Sequence, residues 1–435
     1  PPASTGILFN THGVGDSSTR LLGTRSAGAS PHRFRGTALY DWLRARDSAT
    51  RVLSVSQKDR GAILPVGRAR GDVYWFHRGR FTTSTWYRDT LPAWLESWNA
   101  RDGAGRLAGR SWTLLRGPGA YTGPDSAPYE NGGSDIAFPH RFPLDSLAAR
   151  LRADTTPFID SLTLDVALEG VHALGLGRRA SPDLLVLSLS GTDKVGHAYG
   201  PDSRELQDQV LRLDAYLGRF LDSLATLVPP GRTIFALTSD HGVQPFPQVR
   251  GTGGFVWFGP LARQLERELD ARFGVPFRFE FDLGLLIADL PALRARGVDT
   301  DSLAEALARR VAGEQGVARV FTPKRLAAAR AGDEDARLWR RTLPADQPWL
   351  LAMTAEPGWI WSSSGRRADH GTTLRPDTHV PVIFMGPGIA PRRVARRVTT
   401  EDVGPTLAAL AGVRPTEPVT GKVLPEVAGR TTGGR

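Results

Sequence analysis

Residues 184–189 of the chain read LLVLSL, and this unbroken run of β-forming, mostly apolar residues decides the fold. A strand that is apolar on both sides is typical of a parallel sheet covered by helices on both faces. Residues 203–227 then repeat Leu and Val at helical spacing, and PPG at 229–231 ends that helix. A second strand-like run, TIFAL, follows at 233–237. Strand, helix and strand in this order predict an α/β fold with a doubly wound, mostly parallel sheet.

The same pattern returns near the end of the chain. Residues 380–385 read VPVIFM and predict a third core strand, and a helix is expected at about 400–411. We therefore expect residues 1–245 and 356–435 to form the two parts of one α/β core.

Two regions do not follow this pattern and are expected to cover the core. Residues 246–355 contain amphipathic helical stretches near 260–273, 300–314 and 323–333, which predict an insertion or cap. The segment at about 61–145 is rich in Trp, Tyr, Gly and Pro, and we expect it to fold over the strand ends as a second cap.

The composition excludes several classes of protein. A chain of 435 residues with 40% apolar residues can bury a full core, but no apolar run reaches the roughly 18 residues that a membrane span needs. With Cys 0, a metal must be held by His, Asp or Glu. The net charge of +10 comes from Arg spread along the chain, which indicates solvated surface rather than a stable nucleic-acid partner.

Three short polar clusters carry the chemistry. They read GTDKVGH at 191–197, SDHG at 239–242 and DHGT at 369–372, and the first two follow predicted strands directly. In a parallel sheet, ligands collect at the carboxyl ends of the strands. The candidate metal ligands in these clusters are Asp193, His197, Asp240, His241 and His370.

The spacing of these residues favours a site for two ions. Asp193 and His197 lie one helical turn apart, so a helix after the strand presents both to one ion. Asp240 and His241 are adjacent in a loop and can share an ion or bridge two. Three protein ligands with an open position suit catalytic zinc, and two ions about 3.5–4 Å apart can clamp a phosphoryl group. A single Asp or His is more often structural, but three clusters in this order favour a metal site.

The clusters resemble those of the alkaline phosphatase superfamily, in its type I phosphodiesterase and nucleotide pyrophosphatase branch. The resemblance implies a first zinc held by Asp193, His197 and His370. It implies a second zinc held by Asp240 and His241 together with an N-terminal Asp and the nucleophile. Further similarity lies in VIFMGPG at 382–388 and EDVGPTL at 401–407, so we expect the C-terminal part to be complete.

The first residues resemble the family segment that follows the nucleophile. Ser4-Thr5-Gly6 and, after it, His12-Gly13-Val14 match a segment that lies about nine residues beyond a nucleophilic Thr or Ser. This alignment places the nucleophile and the first metal-binding Asp upstream of Pro1, in an N-terminally truncated chain. We expect the 435 residues alone to turn over little substrate and to form at most the Asp193, His197 and His370 site. Thr5 or Ser4 acting as a substitute nucleophile is the alternative.

One basic motif suggests which phosphate ester is cleaved. QKDRGAILP at 57–65 resembles bacterial phosphate-irrepressible alkaline phosphatases, which implies that Lys58 and Arg60 contact the phosphoryl group. Two extra cations favour the more highly charged monoester over a diester. A solvated surface turn is the alternative for this motif. Asp16 stands where that subgroup has a phosphate-binding Asn, and it would repel substrate unless it is protonated or turned away.

The sequence thus predicts a two-zinc alkaline phosphatase whose intact form uses a covalent phospho-Thr or phospho-Ser. A phosphodiesterase or nucleotide pyrophosphatase on the same metals, and a non-catalytic zinc- or phosphate-binding relative, are the alternatives. The resemblance implies a small phosphate ester as substrate, a monomer, and a periplasmic or secreted location with a signal peptide upstream of residue 1.

Overall fold

The computed structural model of the protein describes residues 13–274, 276–343, 348–362 and 368–429; Ser4, Thr5 and His12 lie outside these ranges. The strands are β1 (Gly15–Arg20), β2 (Ala27–Ala29), β3 (Val52–Ser56), β4 (Asp72–His77), β5 (Arg80–Thr82), β6 (Ser111–Trp112), β7 (His140–Arg141), β8 (Leu184–Ser188), β9 (Phe235–Thr238), β10 (Gly254–Trp257), β11 (Phe279–Asp282), β12 (Leu285–Ala288), β13 (Val317–Phe321), β14 (Trp349–Ala355), β15 (Trp359–Ser362) and β16 (Val382–Met385). The α-helices are α1 (Leu39–Arg46), α2 (Asp59–Ile63), α3 (Ala93–Ala100), α4 (Ser146–Ala153), α5 (Phe158–Leu174), α6 (Gly191–Tyr199), α7 (Arg204–Leu227), α8 (Pro247–Arg250), α9 (Phe258–Phe273), α10 (Leu290–Ala295), α11 (Thr300–Val311), α12 (Pro323–Ala328), α13 (Glu334–Thr342), α14 (Arg375–Thr378), α15 (Val403–Leu410) and α16 (Pro425–Ala428).

The central sheet confirms the predicted α/β fold. Its strand order is β5-β4-β3-β8, and β3 pairs in parallel with both β4 and β8. Leu53 and Val55 of β3 are fully buried against α5 and α7, whereas Val52 packs on the opposite face with Tyr40 of α1. Both faces are therefore covered by helices, which explains why the strands are continuously apolar.

The second pair of core strands, β9 and β16, is antiparallel, whereas the sequence predicted a mostly parallel sheet. β9 and β16 lie where strands were expected, but they pair antiparallel, with Phe235 opposite Met385 and Thr238 opposite Val382. An apolar run has no intrinsic direction, so the sequence pattern could not distinguish an antiparallel partner from a parallel one.

Residues within the predicted insertion form their own sheet and core. The order β11-β12-β14-β13 is antiparallel throughout, and α9 and α11 pack against it with their own buried apolar cluster. The expected helix at 323–333 ends earlier, at Ala328, because Ala329 adopts an extended backbone. A separate helix then starts where the Asp333 side chain accepts a hydrogen bond from the backbone N–H of Ala336.

The segment predicted as a cap at 61–145 is not uniform. Its residues 72–82 supply β4 and β5 to the central sheet, because Val73, Tyr74 and Phe81 are fully buried there. The rest consists mainly of short helices, turns and the small β6–β7 pair. Within the described ranges, no helix has the length and apolar content that crossing a membrane requires.

Candidate metal centre

Asp193 and His197 lie on α6, which follows β8 after a short loop, as the sequence predicts. The helix begins at Gly191, whose backbone N–H donates a 3.0 Å hydrogen bond to the buried carboxylate of Asp160. The side chains of Asp193 and His197 meet one turn apart, with Nε2 3.1 Å from Oδ1. A buried contact at the start of the helix thus sets the position of both candidate ligands.

His370 completes a group of three from a distant part of the chain. Its Nε2 lies 3.6 Å from Asp193 Oδ1, and its ring centroid lies 5.0 Å from that of His197. The ligand atoms of Asp193, His197 and His370 all lie within 4.8 Å of one another. Among the residues that the structure describes, no other three His, Asp or Glu side chains form such a group. We call these three residues the metal triad.

The adjacent pair lies beside the metal triad and is more open. His241 Nε2 is 3.9 Å from Asp193 Oδ1 and 3.4 Å from Asp240 Oδ2, and its ring stacks on His370 with centroids 3.4 Å apart. The side chain of Asp240 is 79% exposed, against 14% for Asp193. We call Asp240 and His241 the metal pair; His241 reaches the triad, whereas Asp240 points toward solvent.

The charges of the metal triad are strongly coupled. Burial alone would raise the pKa of Asp193, but the hydrogen bond and charge of His197 and the charge of Lys58 hold that pKa well below its ordinary value. Burial would lower the pKa of His197, but Asp193 raises it above its ordinary value. For His370, burial and the neighbouring His241 lower the pKa to about 3. The triad therefore carries an ionised carboxylate and, at His370, a neutral imidazole ready to bind a cation.

Hydrogen bonds orient the imidazoles for metal binding. His197 donates from Nδ1 to the carbonyl oxygen of Ala368 at 2.8 Å, and His241 donates from Nδ1 to the carbonyl oxygen of Gly242 at 2.8 Å. In both rings Nε2 is left facing Asp193. Such contacts fix the tautomer and orientation of a ligating imidazole. No sequence pattern indicates that either carbonyl oxygen contacts an imidazole, so sequence analysis missed both contacts.

A buried carboxylate links the two loops that carry the imidazoles. Asp377 of α14 accepts hydrogen bonds from the backbone N–H and hydroxyl of Thr372, at 2.8 and 2.7 Å, and one from the amide of Gln244 at 3.1 Å. Gln244 belongs to the loop after β9 with His241, and Thr372 to the loop before α14 with His370. Sequence analysis missed Asp377, since only its position shortly after the third cluster hints at a role.

Of the two predicted phosphate-binding cations, the structure brings Lys58 into contact with the metal triad. Lys58 Nζ lies 2.5 Å from Asp193 Oδ2, on the side away from His197. Arg60 lines the same cavity as Asp193, two residues further along at the start of α2. Lys58 of the motif at 57–65 therefore lies at the triad, and the contact of Arg60 with a phosphoryl group stays a prediction.

Asp16 lies apart from the metal triad. Its carboxylate is 7% exposed and accepts hydrogen bonds from the backbone N–H and hydroxyl of Ser18, at 2.9 and 2.6 Å, and from the hydroxyl of Ser30. Burial would raise its pKa, but these hydroxyl groups lower it overall. The carboxylate is ionised, accepts hydrogen bonds from Ser18 and Ser30, and is absent from the lining of the cavity around the triad. Its role toward substrate stays a prediction.

The donor set fits a divalent transition metal. One carboxylate and two imidazole nitrogens converge, and with Cys 0 no thiolate competes for the ion. A set of three such ligands with a fourth, open position is the arrangement that catalytic zinc uses. His241 lies beside the triad, with Nε2 3.9 Å from Asp193 Oδ1, and Asp240 precedes it.

Comparison with known proteins finds alkaline phosphatases among the relatives of this chain. An alkaline phosphatase of Synechococcus elongatus, PhoV, is 29% identical over 98% of this chain and 81% of its own length. The alkaline phosphatase PafA of Elizabethkingia meningoseptica is 27% identical over 95% of this chain and 79% of its own length. The crystal structure of wild-type alkaline phosphatase PafA superposes with a TM-score of 0.87 at 25% identity, covering 96% of this chain and 83% of that chain.

The family model of type I phosphodiesterase / nucleotide pyrophosphatase matches residues 2–274, which include β8, α6 and the metal pair. That match covers well over half of the chain, and the protein therefore belongs to the type I phosphodiesterase / nucleotide pyrophosphatase family.

Proposed function

We propose that the protein is a two-metal phosphatase that hydrolyses phosphate monoesters. The observation that carries this proposal is the metal triad with the ammonium group of Lys58 hydrogen-bonded to its carboxylate. The relatives named alkaline phosphatase support the choice of reaction.

We assign the metal triad to one ion and the metal pair to a second, and we propose zinc for both. When bound, such ions polarise the phosphoryl oxygens and lower the pKa of a hydroxyl group or water. Asp193 supplies the central carboxylate, because Oδ1 faces His197, His241 and His370 together. The neutral ring of His370 needs no proton removed before it binds a cation.

Lys58 and Arg60 hold the non-bridging oxygens of the transferring group. Both line the cavity into which the metal triad opens, and Lys58 is 20% exposed at its side chain. A phosphate monoester is a dianion at neutral pH, so two cations beside the ions stabilise it more than they stabilise a singly charged diester. The attacking Thr or Ser and a further metal-binding carboxylate stay predictions from the family resemblance.

The test compares an aryl phosphate monoester with the corresponding diester, using the complete gene product loaded with zinc. We expect kcat/KM for the monoester to exceed that for the diester by at least about a hundredfold. Lys58→Met and Arg60→Met should each lower kcat/KM for the monoester by about ten- to a hundredfold and should lower kcat/KM for the diester less. Lys324→Met, at an exposed lysine of α12, is the matched control.

A preference for the diester would support the second candidate function, diester hydrolysis. The matched family includes phosphodiesterases, so a hundredfold preference for the diester would replace our proposal with diester hydrolysis. Absence of any turnover by the metal-loaded gene product, with both ions bound, would instead identify a non-catalytic relative.

The location and assembly state are also proposals. We propose a monomer in the periplasm or outside the cell, in keeping with the family resemblance. Elemental analysis of purified protein should give two zinc ions per chain of the complete gene product, and cell fractionation should find the activity outside the cytoplasm. Iron or manganese at both sites, or activity confined to the cytoplasm, contradicts the corresponding part of the proposal.

A further inference from the structure

A second, smaller cleft lies beside the metal centre and shares Lys58 with it. Its volume is about 270 Å³, and Lys58 lines both this cleft and the large cavity into which the metal triad opens. Lys58 Nζ lies 2.5 Å from Asp193 Oδ2, and Lys194, the residue after Asp193 on α6, also lines the cleft. A molecule bound at the metal triad can therefore extend past Lys58 into this space. We call it the side cleft.

The lining of the side cleft is mainly cationic. It contains four cationic side chains and one carboxylate: Lys58, Arg78, Arg150, Lys194 and Asp154. Two of the cations have carboxylate partners outside the cleft, because Lys58 contacts Asp193 and Arg150 donates from Nε and Nη2 to Asp102 at 2.8 and 2.6 Å. Arg78 and Lys194 remain to face the single carboxylate of the lining.

Asp154 offsets only part of this charge. Its Oδ1 accepts a hydrogen bond from Gln57 Nε2 at 2.5 Å, and its Oδ2 lies 3.6 Å from Lys194 Nζ. A separation of 3.6 Å is too long for a normal hydrogen bond, and the side chains of Lys194 and Asp154 are 34% and 37% exposed. An ion pair this loose and solvated contributes little, so Lys194 can turn toward another anion.

Arg78 supplies a charge without a partner. None of the carboxylates that the structure describes forms an ion pair with its guanidinium group. Arg78 and Gly79 form the two-residue turn between β4 and β5, and both have positive φ, at 49° and 94°. Such turns prefer Asn-Gly, because a longer side chain strains the backbone at positive φ. Strained residues concentrate at ligand-binding sites, so the arginine in this turn favours a binding role for its charge.

Neighbouring contacts hold the turn in place. A Cβ atom at position 79 would lie 2.5 Å from Cδ of Arg150, so only a glycine lets the turn pack on that side chain. Arg150 is itself fixed by its two hydrogen bonds to Asp102. Burial and the charge of Arg78 lower the pKa of His77, so this imidazole is neutral and adds no charge to the lining. The wall that carries Arg78 is thus formed before a ligand binds.

We propose that the side cleft binds a second anionic group of the substrate through Arg78 and Lys194, so that the preferred monoesters carry a carboxylate or a further phosphate on the leaving group. This inference rests on the proposed function. The guanidinium fork of Arg78 matches the paired oxygens of either anion. A volume of about 270 Å³ is below the roughly 300–1,000 Å³ of pockets for drug-sized ligands, so the cleft accepts a small group on a short linker and excludes a nucleoside.

Three alkyl phosphates with the same four-carbon chain test the inference on the metal-loaded protein. They are butyl phosphate, 3-carboxypropyl phosphate and butane-1,4-diyl bisphosphate, compared in one buffer of fixed ionic strength. We expect kcat/KM for one or both of the esters with a second anion to exceed that for butyl phosphate by at least about tenfold. The ester with the larger kcat/KM identifies the second anion as carboxylate or phosphate.

A matched pair of variants locates the effect. Arg78→Gln should reduce the preference for the second anion to within about threefold. Arg80→Gln removes the same charge from the same hairpin, at an exposed residue outside the lining of the side cleft, and should keep the preference. An equal reduction in both variants would mean attraction by the net charge of the protein and would overturn the inference. A preference within about threefold in the unaltered protein, or one that Arg78→Gln leaves unchanged, would also overturn it.

Binding without turnover separates this inference from the proposed function. Pentylphosphonate, 5-phosphonopentanoate and hexane-1,6-diyl bisphosphonate replace each bridging oxygen by a methylene group and cannot be hydrolysed. Calorimetry on the metal-loaded protein should give a Kd at least about tenfold lower for one or both compounds with a second anion, and Arg78→Gln should remove that difference. The same result without hydrolysis of any ester would uphold the side cleft and refute the proposed function. Hydrolysis of all three esters with equal Kd values for the phosphonates would do the reverse.

Discussion

The metal triad and the metal pair lie side by side but differ in how well the rest of the protein supports them. Asp193 lies on a helix whose first N–H is held by buried Asp160, and its side chain is 14% exposed. Asp240 follows β9, which pairs with β16 alone among the described strands, and its side chain is 79% exposed. A ligand that is placed by buried contacts is positioned before the ion arrives, whereas one at an open edge is ordered only when something else packs beside it.

Replacing the carboxylate of Asp193 should have the largest effect on metal binding. Asp193→Asn keeps the shape of the side chain but removes the charge that faces three imidazoles, so we expect the affinity for the first metal ion to fall at least about a hundredfold. Competition with a chromophoric chelator at pH 7.5 measures it, with the exposed Asp202→Asn as control. An affinity within a factor of about three of the unaltered protein would show that the triad is not the stronger site.

Acidification should lower the affinity for the first ion through protonation of one imidazole, that of His197. Asp193 raises the pKa of His197 above its ordinary value, whereas burial and His241 lower that of His370 to about 3, so His197 takes up a proton before His370 as the pH falls. A proton on His197 competes with the ion, and the affinity should therefore fall about tenfold for each pH unit below the pKa of His197. Calorimetry in buffers of different ionisation enthalpy should find close to one proton released per ion; a release of two would contradict this assignment.

Replacing Asp160, which accepts the hydrogen bond from the first residue of α6, should have a smaller effect on metal binding. Asp160 accepts hydrogen bonds from Gly191 and from the Gln209 amide, and in Asp160→Asn only one of these donors keeps an acceptor. We expect a loss of about 1–3 kcal/mol in the free energy of unfolding and roughly tenfold weaker binding of the first ion. Thermal unfolding and chelator competition measure both, with the exposed Asp214→Asn as control. Unchanged affinity despite lower stability would show that the start of α6 does not position the triad.

The smallest effect is expected at the exposed ligand. Asp240→Asn should change the affinity for the first ion by no more than about twofold, because the carboxylate is screened by solvent. The same substitution should abolish binding of a second ion in the complete gene product. If Asp240→Asn lowered the affinity for the first ion as much as Asp193→Asn does, the metal triad and the metal pair would form a single site.

Sequence reasoning succeeded where a local pattern determines the structure. The apolar run at 184–189 and the four-residue spacing of Asp193 and His197 predicted β8 and α6, because both depend on neighbours in sequence. The helix at 203–227 was confirmed within one residue as Arg204–Leu227. The overall α/β fold was predicted for the same reason, and the superposed PafA structure shares it.

Features that depend on distant contacts could not be predicted. The hydrogen bond from His197 to Ala368 joins residues 171 positions apart, and no pattern in either stretch indicates it. Asp333 begins a separate helix within an Ala- and Arg-rich stretch that looks helical throughout, so the break before it was missed. Among the described strands β8 pairs with β3 alone, and this was missed too, since strand propensity does not reveal which edge has a partner.

The Asp377 carboxylate has a consequence for how metal ions are taken up. Together with the hydrogen bond from Gly242 N–H to the Asp377 carbonyl oxygen, at 2.8 Å, it makes the loops that carry His241 and His370 move as one unit. An ion that orders one loop also orders the other, so the second ion binds to a chain whose ordering entropy has already been lost. We therefore expect the binding of one ion to strengthen the binding of a second.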